Sequence, residues 1–224
     1  AIDRDVLNSK VADPGGQIST ASFVPPMGTD YQPQVADYTK IPEQDRVATA
    51  RRLMVEAGYP PDKPLRLTVT YGTSRGTKKR LQAIAAMWKQ ALGVELTLQN
   101  HSWQTWLSAL KSGDFQLSWE LAVGDIVDPL NFLVDYRSTS DGIDRAGYHN
   151  SAYDDLLAAA EAELVPSRRT HLLEQAEHLL LNDTPLIPIA NPLIGTLVSA
   201  RVTGWHDNII GLHPSRYLGI QAPK

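Results

Sequence analysis

Two aspartates, Asp125 and Asp128, stand three residues apart in LAVGDIVDP (residues 121–129), with a glycine before the first and a proline after the second. Carboxylates so placed could form an acid–base pair, clamp a metal, cap a helix or receive a cation. Asp followed by Pro is the usual order of N-cap and first helical residue, so Asp128 is expected to cap a helix opening at Pro129. A calcium loop needs further oxygen ligands at alternating positions, and the stretch lacks them. Asp125 has no helix-start role. It is expected either as a solvated loop acid or as the acceptor for a ligand ammonium group.

Three other groups of residues invite a chemical reading. YGTSRGTKKR (residues 71–80) superficially resembles a phosphate loop, which has four residues between its glycines, then lysine, then a hydroxyl residue that holds magnesium. Here three residues separate Gly72 from Gly76, Thr77 precedes Lys78, and Lys79 stands where the hydroxyl belongs. A hydrolase acting on a phosphorylated substrate through this loop is therefore the weaker, enzymatic alternative. The milder expectation is that Ser74 or Thr77 caps the following helix, whose amide terminus can receive an anion. His171, Glu174 and His178 share roughly one helix face, but that face is opposite Leu172, Leu173, Ala176, Leu179 and Leu180, so it reads as the solvated side rather than a metal site. Among five tryptophans, Trp103 and Trp106 are spaced i, i+3 on a short helix, one expected to pack and the other to face a cleft. Trp119 alternates with Leu117 and Leu121, which favours core packing.

The chain has 224 residues, 42% hydrophobic and 21% charged, with a net charge of −4. That is an ordinary globular composition with no electrostatic footprint for nucleic acid. No run of about 18 apolar residues offers a membrane span. Cysteine is absent, which removes disulfides, thiolate metal sites and cysteine nucleophiles. Neither the pattern of a nucleophilic serine elbow nor that of a zinc helix occurs. No cofactor is expected.

The elements that must position these residues begin with an apolar pattern at Ile2, Val6, Leu7 and Val11, helical in spacing but without a preceding cap. It reads as a helix near a cut, in a piece of something longer. Residues 13–42 are rich in proline, glycine and small polar residues and are expected to wrap the surface. Pro42 opens a helix with Val47, Ala50, Leu53, Met54 and Ala57 on one face and Gly58 as its stop. Strand, helix, strand, helix, strand then follow over residues 65–122: LRLTVTY, KKRLQAIAAMWKQAL ended by Gly93, VELTLQ, a helix capped by Ser102, and FQLSWELA. Such alternation predicts a parallel sheet. A short helix over 129–136, longer ones over 152–163 and 166–182, and late strands in PLIPIA, IGTLVSAR and RYLGIQ complete the reading.

The run WKQALGVELTLQNHSWQTWLSALKSGDFQL, together with ARRLMVEAGYP, AGYHNSAYDDLL and AEHLLLNDTPLIPI, resembles the C-terminal part of oligopeptide-binding proteins of the peptide/nickel class, family 5 of the ABC-importer solute-binding proteins. The resemblance implies an α/β, periplasmic-binding-protein-like (type II) lobe with a mixed, mostly parallel sheet flanked by helices, part of a two-lobed protein. Residues 1–200 would form the ligand-binding lobe, and residues 201–224 would return towards the missing N-terminal lobe. It implies no catalysis. The function implied is non-covalent binding of short peptides between lobes and delivery to ABC permease subunits, in the periplasm, or lipid-anchored outside a single membrane. A metal chelate or an oligosaccharide stacked on Trp103 and Trp119 is the alternative cargo.

In the family an aspartate at the end of the third strand pairs with the peptide α-ammonium, and Asp125 occupies that position. Such a contact is worth roughly 1.5–3 kcal/mol. The resemblance also draws Trp103, Trp119, Thr77, Ala122 and Val123 into the ligand-lining set. Departures fall in that set: the family often has arginine where Trp119 stands, tryptophan at Ala122, a histidine at Thr77 and a tyrosine at Pro192. Carboxylate anchoring is therefore expected elsewhere, with Lys111 or the missing lobe as substitutes.

Overall fold

The computed structural model describes residues 1–11, 16–74, 76–139, 146–193 and 195–222. Its opening turn does have a cap: the Asp3 carboxylate accepts from the Val6 N–H at 2.9 Å and starts α1 (Arg4–Val6). The chain then winds into a π-helical turn over Leu7–Val11 that buries Leu7 completely. After β1 (Gln17–Ser19) and an irregular stretch, α2 (Glu43–Glu56) begins behind Pro42 as expected, but none of its residues is buried. Its apolar side is only partly covered, with Leu53 and Val55 about half exposed.

The alternating segment forms the anticipated sheet. β2 (Arg66–Gly72), α3 (Thr77–Leu92), β3 (Glu95–His101), α4 (Trp103–Ser112) and β4 (Leu117–Ser118) follow one another, and the sheet order is β3-β2-β4 with both pairings parallel. α3 ends where Gly93 adopts a left-handed φ of 72°, a conformation that favours glycine. Val69 and Tyr71 of β2 pack on Leu81 of α3, and Leu96, Leu98, Leu117 and Trp119 close over them. β4 is far shorter than its apolar alternation suggested. It pairs with β2 only through Val69–Leu117 and Thr70–Ser118, and the Trp119 N–H makes one last bond to the Thr70 carbonyl at 3.0 Å.

A second core lies among the helices. α5 (Leu130–Leu133), α6 (Ser151–Ala162) and α7 (Pro166–Asp183) surround Phe132, Leu133, Tyr153, Leu157, Leu173, Ala176 and Leu180. The proline-rich segment completes it, placing Val24, Met27 and Tyr31 in the same cluster. Residues 12–15 of that segment lie outside the described residues; the rest wraps α7.

That wrap corrects the expectation that the polar face of α7 is solvated. His171 on that face stays exposed, but Glu174 is largely covered, and Glu177, on its border with the apolar side, is fully buried. One of its oxygens accepts from the Phe23 and Val24 N–H groups at 2.9 and 2.7 Å, and the other from the Gln34 N–H and the Tyr31 hydroxyl at 2.7 and 2.5 Å. Glu174 accepts the Gln32 N–H at 3.0 Å, and Asn182 the Asp37 N–H at 2.8 Å. A segment with little regular structure must find acceptors for its amides, and this helix face supplies them. Burial pushes the Glu177 carboxyl above its ordinary value, against the pull of its donors.

The late strands are shorter than the sequence suggested. β5 (Ala190–Pro192) pairs antiparallel with β1, and β6 (Val202–Thr203) pairs antiparallel with β7 (Gly219–Ile220). Residues 195–201, expected as strand, contain none; Ile194 lies outside the described residues.

Candidate functional site

Because the three strands are parallel, their carboxyl ends share one edge, where open α/β sheets bind ligands. Gly72 and His101 are paired at that edge, and β4 ends beside them at Ser118. Gly72 brings two indoles close: a Cβ there would sit 3.4 Å from the Trp106 ring and 3.5 Å from that of Trp103. Trp106 is buried and donates from Nε1 to the Ser118 hydroxyl at 3.2 Å. Trp103 leans on it with centroids 4.8 Å apart and remains 62% exposed. The pair thus divides as expected, one ring packing and the other open. Ser102 caps α4 as read, its hydroxyl accepting from the Thr105 N–H.

Beyond Trp119 the chain leaves regular structure, with Ala122 and Val123 both exposed, the latter 73%. It turns at Gly124, where a Cβ would meet the buried Phe132 ring at 2.7 Å, so only glycine allows the turn to lie on the helical core. The Asn131 side-chain oxygen then accepts from the Asp125 and Ile126 N–H groups at 2.6 and 3.1 Å. Asp128 accepts from the N–H of Leu130, the first residue of α5, at 2.8 Å, although the N-cap position itself is Pro129 and not Asp128 as expected, and it is paired with Arg169 at 2.9 Å. The two aspartates are therefore in opposite states. Asp128 is engaged twice, whereas the Asp125 side chain is exposed, with no hydrogen bond or ion pair to another described residue.

Asn131 and Gly124 carry no functional signature in the sequence. Their roles follow only from the loop's return onto α5, although a glycine directly before a candidate acid is a usable hint. Trp119 is half-buried and packs on the sheet core.

Two proposed contacts are corrected by their surroundings. Thr77 is 3% exposed and its hydroxyl is bonded to that of Ser74, so it presents nothing to a ligand. Neither residue caps α3 by its side chain; the N-cap is Gly76, at a left-handed φ of 80°. Lys111 belongs to the last turn of α4. That helix leaves the carboxyl edge at Trp103 and returns the chain to the start of β4, which carries Lys111 towards the opposite edge, about 12 Å along the axis. Lys111 is thus set apart from the carboxyl edge where Trp103 lies.

The histidine and acid face of α7 does not gather into a metal cluster. No group of three or more His, Asp or Glu side chains among the described residues could hold a metal. His171 approaches Glu174 only at 3.7 Å, and His178 meets Asp37 instead. The edge offers an exposed carboxylate, an open indole and an exposed segment without regular structure, groups that can receive a cationic, chain-like ligand.

Comparison with known proteins gives a consistent result. The family model for bacterial extracellular solute-binding proteins, family 5 (Middle), matches residues 1–144. The periplasmic murein peptide-binding protein MppA of Escherichia coli is 33% identical over 207 residues, which is 92% of this chain and 38% of that protein. The periplasmic oligopeptide-binding protein OppA of Salmonella typhimurium is 31% identical over 205 residues, 92% of this chain and 37% of that one. In structure, the E. coli murein tripeptide-binding protein MppA superposes with a TM-score of 0.86 at 33% identity, covering 98% of this chain and 43% of its own. Haemophilus influenzae OppA, solved in complex with RPPGFSPFR, gives 0.80 at 29% identity with the same coverage. The chain spans about two fifths of the length of these relatives.

Proposed function

The chain belongs to the bacterial extracellular solute-binding proteins of family 5, a family of binding proteins, and from that premise we propose that it supplies one lobe of a peptide-binding component of an ABC importer. The observation that carries this reading is the exposed, unpaired Asp125 carboxylate at the carboxyl edge of the parallel sheet, on a turn fixed by Gly124 and Asn131. In the proposed complex the peptide lies extended along residues 120–125. Asp125 receives its α-ammonium, Trp103 and the exposed Val123 line side-chain space, and main-chain hydrogen bonds supply affinity that tolerates sequence variation. Residues 1–200 act as the ligand-binding lobe, and residues 201–224 return towards a second lobe that closes over the peptide. Release of the cargo to permease subunits completes the proposal, together with a periplasmic location that the names of the relatives support. No described helix is long and apolar enough to cross a membrane.

The test is Asp125→Asn in the protein at the full length of its relatives, read by calorimetric titration with short free-amine peptides. Loss of a charge-assisted contact should weaken binding about 10- to 100-fold. Unchanged affinity for free-amine peptides would remove Asp125 from the site.

A further inference from the structure

With Thr77 buried and Lys111 directed to the far edge, the site as built has an acceptor for a cation and no evident partner for an anion. Arg80 stands out on three counts. It lies in the first turn of α3, where its backbone N–H bonds to the Gly76 carbonyl at 3.1 Å, and its side chain curls back over Gly76. The nearest guanidinium nitrogen is 3.4 Å from where a Cβ at Gly76 would stand, so the cation lies against the turn. Gly76 is only four residues past the end of β2, which puts the guanidinium at the carboxyl edge of the sheet, the edge from which the Asp125 loop emerges.

The side chain is also unsatisfied. Its Nε is shielded from solvent and has no hydrogen-bond partner, and no carboxylate among the described residues pairs with the guanidinium. Shielded polar groups in native structures are nearly always bonded, so an orphan of this kind calls for a missing partner. Lys78 and Lys79 adjoin it, and the first turn of α3 contains no acid that would compete. Asp125 likewise has no partner among the described residues, and no ion pair joins the two. One edge of one sheet thus carries an open anion and an open cation held apart.

We propose that Arg80 receives a carboxylate of the cargo, so that the site selects peptides that are anionic at one point and cationic at their amino end. This rests on the peptide-binding reading and deepens it. A guanidinium offers two parallel N–H groups to a carboxylate, a geometry that lysine cannot reproduce. The carboxylate has two possible sources, the peptide C-terminus or an acidic side chain.

The experiment is calorimetric titration of the protein at the full length of its relatives, as wild type, Arg80→Gln and Arg80→Lys. The probes are Ala-Ala-Ala, its C-terminal amide, Ala-Glu-Ala amide and Ala-Gln-Ala amide, with thermal midpoints recorded to verify folding. Wild type should prefer either Ala-Ala-Ala over its amide, which assigns the C-terminus, or Ala-Glu-Ala amide over Ala-Gln-Ala amide, which assigns a side chain. Arg80→Gln should erase that preference, weakening the carboxylate-bearing member about 10- to 100-fold while leaving its neutral counterpart within twofold, and Arg80→Lys should restore it only in part. A preference that survives in Arg80→Gln, an equal loss for both members of a pair, or wild-type binding without any preference would overturn the assignment of Arg80 alone. Wild type that binds none of the four probes would overturn the peptide-binding reading and this inference together.

Discussion

Replacing Glu177 by glutamine isolates what holds the irregular segment of residues 20–37 to the rest of the molecule. The carboxylate is fully buried and accepts four hydrogen bonds, from Phe23, Val24 and Gln34 N–H groups and the Tyr31 hydroxyl. An amide keeps one acceptor oxygen and turns the other position into a donor. Its best setting keeps the oxygen on Phe23 and Val24 and points the NH2 at Tyr31, whose hydroxyl can rotate to accept. The Gln34 N–H, 2.7 Å away in the native structure, then faces a donor. One buried N–H without an acceptor costs about 1–3 kcal/mol, and exchanging charged for neutral hydrogen bonds costs about 1 kcal/mol more. Relief of the buried charge offsets part of this, leaving a net loss of about 2–3 kcal/mol. At about 2–4 °C per kcal/mol for a chain of this size, the thermal midpoint should fall by roughly 4–12 °C. Glu177→Ala, which strands all four donors, should cost about 4–6 kcal/mol. Denaturant unfolding gives the energies, and hydrogen exchange of the Phe23, Val24 and Gln34 amides gives the location. Stability within about 0.5 kcal/mol of wild type for Glu177→Gln, with those amides equally protected, would refute the latch.

Four further outcomes follow from the same geometry. Gly124→Ala drives a methyl group into the Phe132 ring, which costs about 1–3 kcal/mol of stability by overpacking and moves the Asp125 turn, so peptide affinity should fall with the thermal midpoint. Asn131→Ala removes the acceptor for the Asp125 and Ile126 amides, and a several-fold affinity loss by calorimetry with under about 1 kcal/mol of destabilisation is expected. Asp128→Ala should cost about 1–2 kcal/mol in chemical denaturation through loss of its bond from the Leu130 N–H and of the partly buried Arg169 pair. Lys89 and then Arg66 hold the Glu95 carboxyl down from 4.5 to about 2. On acidification the unfolded chain therefore protonates Glu95 first. Its stabilisation is complete above pH 4.5 and is lost as the pH falls towards about 2, and a Glu95→Gln variant should show a shallower decline of thermal midpoint across that window.

The sheet and its order were legible because each element announces itself locally: apolar alternation for β2 and β3, Gly93 as a stop, Ser102 as a cap. Asp128 was legible in part for the same reason: it accepts a backbone N–H two residues on, at the start of α5, but from one position before the N-cap, Pro129. What escaped was non-local. The polar face of α7 reads as solvated by periodicity, yet Glu174, Glu177 and Asn182 serve backbone amides more than a hundred residues distant in sequence. A usable signal existed, because a long segment without ladders must find acceptors somewhere. Thr77 and Lys111 were misassigned for a related reason. A position along the chain does not reveal whether a hydroxyl turns inward to Ser74, or that a ten-residue helix carries its last turn to the far edge. Trp103 and Trp106 could be read as one packed and one open ring, but only Gly72, which lets both indoles approach β2, determines which is which. The alternation of FQLSWELA suggests a longer β4 because it continues past Ser118, although pairing with β2 stops at Thr70, two residues before β2 itself ends.

The most direct measurement is a crystal structure of the protein, at the full length of its relatives, with a short free-amine peptide bound. A peptide amino group lying about 2.7–3.2 Å from a carboxylate oxygen of Asp125 is the predicted result. A peptide whose amino group is held elsewhere, with that carboxylate still facing solvent, would contradict it.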